Sequence, residues 1–300
     1  MTARMPALSL AAVPGRRIAT LELAREIERR GFSGIYCPSF GDGLALCLSL
    51  AHATETIPFG TSITPIYTRL PVDFAQNVAY LHEVSGGRFR FGVGVSHAPV
   101  HRRLGIEPGR PLEDTRRFCA DLRSSPVSEL PPLTLAALRD GMTRLAGEIA
   151  DGVVWANAAR CHMRHSLSQL GGRDAEKGFF VGNMIPTVIA DDVAAARAVH
   201  RKTLSGYVAL PNYRNYWREA GFGEEMDRAE RALERSNQDE VRAAMSDRWL
   251  NECTLSGPAP FVREQVEAWM DAGVKTPILV PSSARGNQMT AFEEVFAAFE

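Results

Sequence analysis

The sequence predicts an α/β fold: one TIM (β/α)8 barrel with a helical insertion in its C-terminal third. Three observations predict it. Apolar, strand-like runs alternate with longer amphipathic stretches, and eight such units can be counted along the chain. Repeated strand–helix units imply parallel strands, because each helix is the crossover between its two neighbours. The 300 residues are many for an ordinary domain but usual for one barrel, so the chain is read as a single domain over 1–300.

The first strand is expected over 7–13, and the helix over 20–30 follows from Leu23, Ala24 and Ile27 at helical spacing with Gly31 as a stop. Strand 34–38 precedes helix 43–55. Strand 57–63 precedes helix 72–84, which Gly86-Gly87 ends, and the fourth strand is 88–95. A loop with Pro99, Pro108 and Pro111 leads to a helix over 112–122. After Pro131-Pro132 come strand 133–138 and helix 140–150, then strand 152–157 and helix 159–170, then strand 179–187. Asp191-Asp192 opens the next helix, where acidic residues favour the positive end of the helix dipole. Over 211–252 the alternation stops. That stretch is charged and helical and is read as an insertion. The pattern resumes with helix 258–272, strand 277–280 and helix 290–300. An open doubly wound sheet is the competing arrangement, but the turn after the first strand, Val13-Pro14-Gly15-Arg16-Arg17, is not a nucleotide fingerprint.

Composition narrows the partners. A net charge of −1 provides no long-range field for nucleic acid or for an anionic membrane. No apolar run approaches the ~20 residues that span a bilayer, and the first 17 residues are too short and too weakly apolar for a secretion signal. The five cysteines, Cys37, Cys47, Cys119, Cys161 and Cys253, are odd in number and contain no CxxC pair. They read as reduced thiols and point to the cytoplasm. His97/His101 and His162/His165 have metal-like spacings, but a zinc site needs at least three convergent ligands and only Cys161, beside His162, offers a nearby thiolate or carboxylate, so no metal is expected.

In barrels of this kind the chemistry sits at the C-terminal ends of the strands. The third strand ends in Gly60-Thr61-Ser62-Ile63-Thr64-Pro65-Ile66-Tyr67-Thr68-Arg69, and the fourth in Gly92-Val93-Gly94-Val95-Ser96-His97. Gly92-Val93-Gly94 lacks the third glycine of a dinucleotide loop, so small residues that admit a close backbone approach are its better reading. With Leu133-Thr134-Leu135-Ala136-Ala137-Leu138 and Leu145-Ala146-Gly147-Glu148-Ile149-Ala150-Asp151-Gly152, these segments resemble the luciferase-like monooxygenase superfamily, in particular its branch that uses the deazaflavin coenzyme F420. The resemblance covers most of the chain, weakly over 211–252.

The resemblance implies a barrel of the bacterial luciferase type, a homodimer, and hydride transfer between F420 and a small organic substrate. It implies a non-proline cis peptide at Ser62-Ile63 behind the coenzyme ring. It also implies coenzyme contacts from Gly94, Val95, Ser96 and His97, from Ala137, Leu138, Arg139 and Asp140, and from Ala156 and Asn157. Backbone N–H groups at the helix start after Leu138 would meet the coenzyme phosphate, with Asp140 opposing the charge of Arg139. His97 stands where some members carry an acidic residue, and imidazole can exchange a proton near neutral pH. Ser39 and Phe40, also implied as coenzyme contacts, stand where several members have an Asp-His pair, a departure that prevents carrying over any one substrate. Tyr67 and Arg69 follow the expected bulge and could line the substrate pocket. An FMN-dependent monooxygenase and a non-catalytic flavin-binding barrel are the alternatives.

Overall fold

The computed structural model describes residues 4–39 and 41–300. Phe40, expected at the coenzyme, lies outside the described residues. The fold is the eight-stranded parallel barrel, and the described residues fall into two compact units.

The larger unit holds Met5–Trp155 and Leu167–Gly182. Its strands are β1 (Ala7–Ser9), β2 (Ile35–Cys37), β3 (Phe59–Thr61), β4 (Thr64–Pro65), β5 (Phe89–Gly94), β6 (Leu133–Ala136) and β7 (Gly152–Ala156). Every pairing among them is parallel, with Leu8 opposite Ile35, Tyr36 opposite Gly60, Phe59 opposite Phe89, Phe91 opposite Leu133 and Leu135 opposite Val153. Parallel pairing brings the C-terminal ends of neighbouring strands side by side, and that edge carries the candidate residues. These strands are short and almost wholly buried, so they read as apolar runs rather than as an alternation.

Helices begin where the sequence offers a cap. The Asp42 carboxylate accepts the N–H groups of Leu44 and Ala45 at the start of Gly43–Ala53, and proline opens Pro71–Val84 and Pro111–Arg123. The helix Arg17–Arg29 buries Leu23, Ala24 and Ile27, the stripe expected from their spacing, and Thr20 as well. Inside, Phe74 meets Phe91 and Phe118, each at 5.6 Å between ring centroids.

The second unit holds 156–166 and 183–300, with Arg4. Its strands are β8 (Phe180–Ile189, from Asn183 on), β9 (Leu255–Gly257) and β10 (Thr276–Ser282). β9 pairs parallel with the end of β8, Thr187 opposite Leu255, and β10 also pairs with β8. The segment read as an insertion is the helices Pro211–Glu219, Gly223–Glu234, Gln238–Ala244 and Asp247–Cys253. Their apolar faces close over Trp217 and Trp249, fully buried and edge-to-face at 4.8 Å.

Three elements differ from the sequence reading. β9 was not expected, because three residues are too few for a period to show. The run 57–63 is not one strand: it breaks after Thr61, and β4 restarts at Thr64 to pair with the end of β5, Thr64 opposite Val93. A helix Ala98–Leu104 occupies the loop before Pro108, with Pro99 in its first turn, where proline is tolerated.

His200 is buried in the second unit, and its Nε2 lies 3.1 Å from the Leu255 carbonyl. Burial pushes its pKa down to about 4, against 6.5 in an open chain, with the carbonyl opposing only in part. The unfolded chain therefore takes up a proton below pH 6.5 that the folded chain refuses until about pH 4. Stability falls with falling pH across that window and is unaffected by His200 above it. Urea midpoints measured from pH 7 to pH 4 should fall steeply for the wild type and less steeply for His200→Gln, which keeps a donor for Leu255.

Candidate active site

The C-terminal ends of β3, β5 and β6 converge on one spot. Thr61 Oγ1 donates to the Gly92 carbonyl at 2.6 Å and accepts the Gly92 N–H at 3.0 Å, locking β3 to β5 through a side chain. The Ser62 N–H reaches back to the Cys37 carbonyl at the end of β2, 2.7 Å away. The Ser62–Ile63 peptide bond is cis, as the family resemblance implied. A Cβ on Gly94 would lie 2.8 Å from the Ala136 Cβ and 3.2 Å from Ile63 Cδ1. Ile63, Gly94 and Ala136 thus form a floor with no polar side chain, at which residue 94 has to be small.

The backbone beyond Gly94 is turned sharply. Ser96 has φ +62°, a left-handed conformation uncommon outside glycine. His97 then returns to extended geometry and caps the helix Ala98–Leu104 with its carbonyl, which accepts the N–H groups of Val100 and His101 at 2.9 and 3.1 Å. Val95, Ser96 and His97 are all half-buried. Burial lowers the imidazole pKa of His97 below its ordinary value, and the neighbouring His101 imidazole further disfavours its protonation. His97 is therefore a neutral imidazole at neutral pH, suited to accepting a proton.

β6 is followed by Ala137, whose N–H donates to the Val154 carbonyl at 2.9 Å, and by half-buried Leu138. Arg139 is exposed and precedes the helix Asp140–Ile149. The first turn of such a helix has N–H groups with no partner inside it, and with the Arg139 guanidinium these suit an anionic group. Asp140 lies 3.8 Å from Arg144 one turn on, which draws its charge along the helix. Ser39, at the end of β2, is exposed.

Tyr67 and Arg69 are engaged with protein carboxylates. The Tyr67 hydroxyl donates to Asp114 Oδ2 at 2.8 Å, and burial together with that carboxylate holds its pKa well above the ordinary value. Arg69 pairs with Asp42 at 3.1 Å and with Asp73 at 3.7 Å. In the second unit, Asn157 is buried with φ +58°. Its N–H donates to the Met184 carbonyl and its own carbonyl accepts from Trp217 Nε1, at 3.0 and 3.1 Å, so its backbone is already committed. Ala156 before it is half-buried. Arg160 is turned toward Gln265 and Glu252.

Sequence reasoning passed over two residues of this region. Asp114 is buried and accepts from Tyr67, from the Gly109 N–H at 2.8 Å and from Arg117 at 2.9 Å. His101 places Nε2 2.5 Å from the Val95 carbonyl and packs edge-on against Tyr67, 5.4 Å between centroids. The four-residue spacing of His97 and His101 was the available signal. That spacing suggests a metal pair or a second acid–base group, and neither reading points to the backbone contact that His101 makes.

A cavity of about 620 Å³ lies in the larger unit at the opposite, N-terminal ends of β5, β6 and β7, lined by Arg90, Leu133, Asp151, Arg173 and Phe179 among others. Its guanidinium groups serve the fold. Arg173 donates to the carbonyls of Gly147 and Ala150, and Arg123 to that of Ile149, neutralising the negative end of the helix Asp140–Ile149. Size alone does not make it the reaction site.

Comparison with known proteins follows the same lines. A Mycobacterium tuberculosis protein, provisionally assigned as a coenzyme F420-dependent oxidoreductase, is 24% identical over an alignment spanning 88% of this chain and 90% of its own. Among solved structures, the coenzyme F420-dependent tetrahydromethanopterin reductase of Methanopyrus kandleri superposes with a TM-score of 0.76, covering 97% of each chain at 17% identity. An F420-dependent secondary alcohol dehydrogenase, solved with an F420–acetone adduct, gives 0.70 over 99% of each chain, also at 17% identity. At such identity these structures show the shared barrel fold. The profile of the luciferase-like monooxygenase family matches residues 9–123 and 116–276, and the chain belongs to that family.

Proposed function

We propose that the protein is an F420-dependent oxidoreductase that moves a hydride between the deazaflavin and a small organic substrate, working as a cytoplasmic homodimer. The observation that carries this reading is the convergence at the ends of β3, β5 and β6. The apolar floor of Ile63, Gly94 and Ala136 suits a flat ring, and a half-buried, neutral His97 stands three residues beyond Gly94. The relatives named for F420 support the choice of coenzyme.

The residues fit the group. Ile63, Gly94 and Val95 would hold the ring system, and Leu138, Arg139 and the helix start after them would hold the phosphate end. Bound F420 would supply the carbon that accepts or returns the hydride. The chain supplies position and a proton site. His97, held neutral by burial, accepts a proton from a substrate that is losing a hydride and returns it in the reverse direction. A second reading, an FMN-dependent monooxygenase on the same floor, is favoured by the family that the chain matches.

Titration of the purified protein with F420 and with FMN separates the two readings. F420 should bind more tightly, and equal or stronger FMN binding would transfer the assignment to the monooxygenase. A second experiment addresses His97. In single turnover at saturating coenzyme, His97→Gln should slow hydride transfer by about 10²–10⁴-fold, the usual contribution of a positioned acid or base, and leave coenzyme affinity nearly unchanged. A rate equal to wild type would remove His97 from the chemistry.

A further inference from the structure

The turn that presents His97 is pinned by a side chain from one helical turn later. A carbonyl oxygen can only accept, so the 2.5 Å contact between His101 Nε2 and the Val95 oxygen requires a proton on Nε2. Val95 and His101 bracket Ser96 and His97, and Ser96 stands at φ +62° between them. The same stretch is tied behind the ring of His101. Tyr67 meets that ring edge-on at 90° and is itself held by its hydroxyl on Asp114 Oδ2, 2.8 Å away. The same Oδ2 takes the Gly109 N–H at 2.8 Å, at the far end of the segment that His97 begins. On the strand side, the Ile66 N–H donates to the Gly94 carbonyl at 3.0 Å, fixing the backbone just before Tyr67. The segment 95–109 therefore has one tie at each end and an aromatic brace between them.

We infer that His101 is a positioning residue: by donating Nε2–H to the Val95 carbonyl, with Tyr67 braced on Asp114 behind it, it fixes the turn that aims His97. This rests on the reading of His97 as the proton site. A group that exchanges a proton in a transition state has to be held to about half an ångström, and a loop with a left-handed residue at its apex does not hold itself. The ties are on the chain and exist without coenzyme, so the inference can be tested apart from the reaction.

The test has a spectroscopic arm and a kinetic arm. Long-range ¹H–¹⁵N spectra of the coenzyme-free protein at neutral pH should show His101 as a single Nε2–H tautomer. A tautomeric average, or an Nδ1–H form, would overturn the inference. In His101→Leu the His97 ring signals should broaden or split. In His101→Gln, whose amide can still donate to Val95, they should stay single. Unchanged His97 signals in the leucine variant would also overturn it. In single turnover at saturating F420, His101→Leu should lose about tenfold in rate, a loss in keeping with a small misplacement of a reacting group. Coenzyme affinity should be kept, and His101→Gln should recover most of the rate. A leucine variant that loses only thermal stability and reacts at the wild-type rate would reduce His101 to a structural residue. If the wild type transfers no hydride from F420 at all, the proposed function fails, and the spectra alone decide whether His101 holds the turn.

Discussion

The hydroxyl of Thr61 bonding both polar groups of Gly92 is the constraint from which the site follows. A Cβ on residue 92 would stand 1.9 Å from the Thr61 carbonyl oxygen, and one on residue 60 would stand 2.3 Å from that of Arg90. β3 and β5 approach so closely that both positions must be glycine. Because β3 ends against β5 in this way, the chain leaves the ladder at Ser62, restarts at Thr64 and sets Ile63 beside Gly94 and Ala136. The floor, the left-handed turn at Ser96 and the placement of His97 are downstream of that contact.

The same unit separates its stabilising and reactive charges by end. At the N-terminal ends of the strands, Arg88 lies on the Phe59 ring and donates to the carbonyls of Ala51, Thr54 and Ile57. Arg173 and Arg123 likewise serve the carbonyls that close the helix Asp140–Ile149. These cations are consumed by backbone. At the C-terminal ends the groups next to the proposed site are of another kind. They are an imidazole held neutral, a tyrosine held on a carboxylate, and a helix start with an exposed arginine. That contrast, with the placing of barrel chemistry at the C-terminal ends of strands, supports the proposed location of the site.

Much of this was legible in the sequence, for physical reasons that differ by element. Most strands could be read because they are buried apolar runs, and Gly31, Gly86-Gly87 and Asp191-Asp192 mark helix ends. The site segments could be read because Gly60, Gly92 and Gly94 stand where only a hydrogen fits. β9 could not be read, since Leu255–Gly257 is too short for a pattern. The helix Ala98–Leu104 was hidden because Pro99, a breaker inside a helix, is harmless in its first turn. The ties of Tyr67 to Asp114 and of His101 to Val95 span 47 and 6 residues. Side-chain contacts set by the course of a loop leave no periodic trace. So the Tyr67–Asp114 hydrogen bond and the contact of His101 with Val95 formed no part of the sequence reading.

On the proposed reading the coenzyme is held at the C-terminal ends of β3, β5 and β6, and not in the cavity at the N-terminal ends of β5, β6 and β7. Hydrogen–deuterium exchange of the protein with and without F420 tests this directly. The account predicts slowed exchange on binding over 62–66, 94–97 and 138–142. Protection confined to 129–133 and 173–179, which line the cavity, would contradict it.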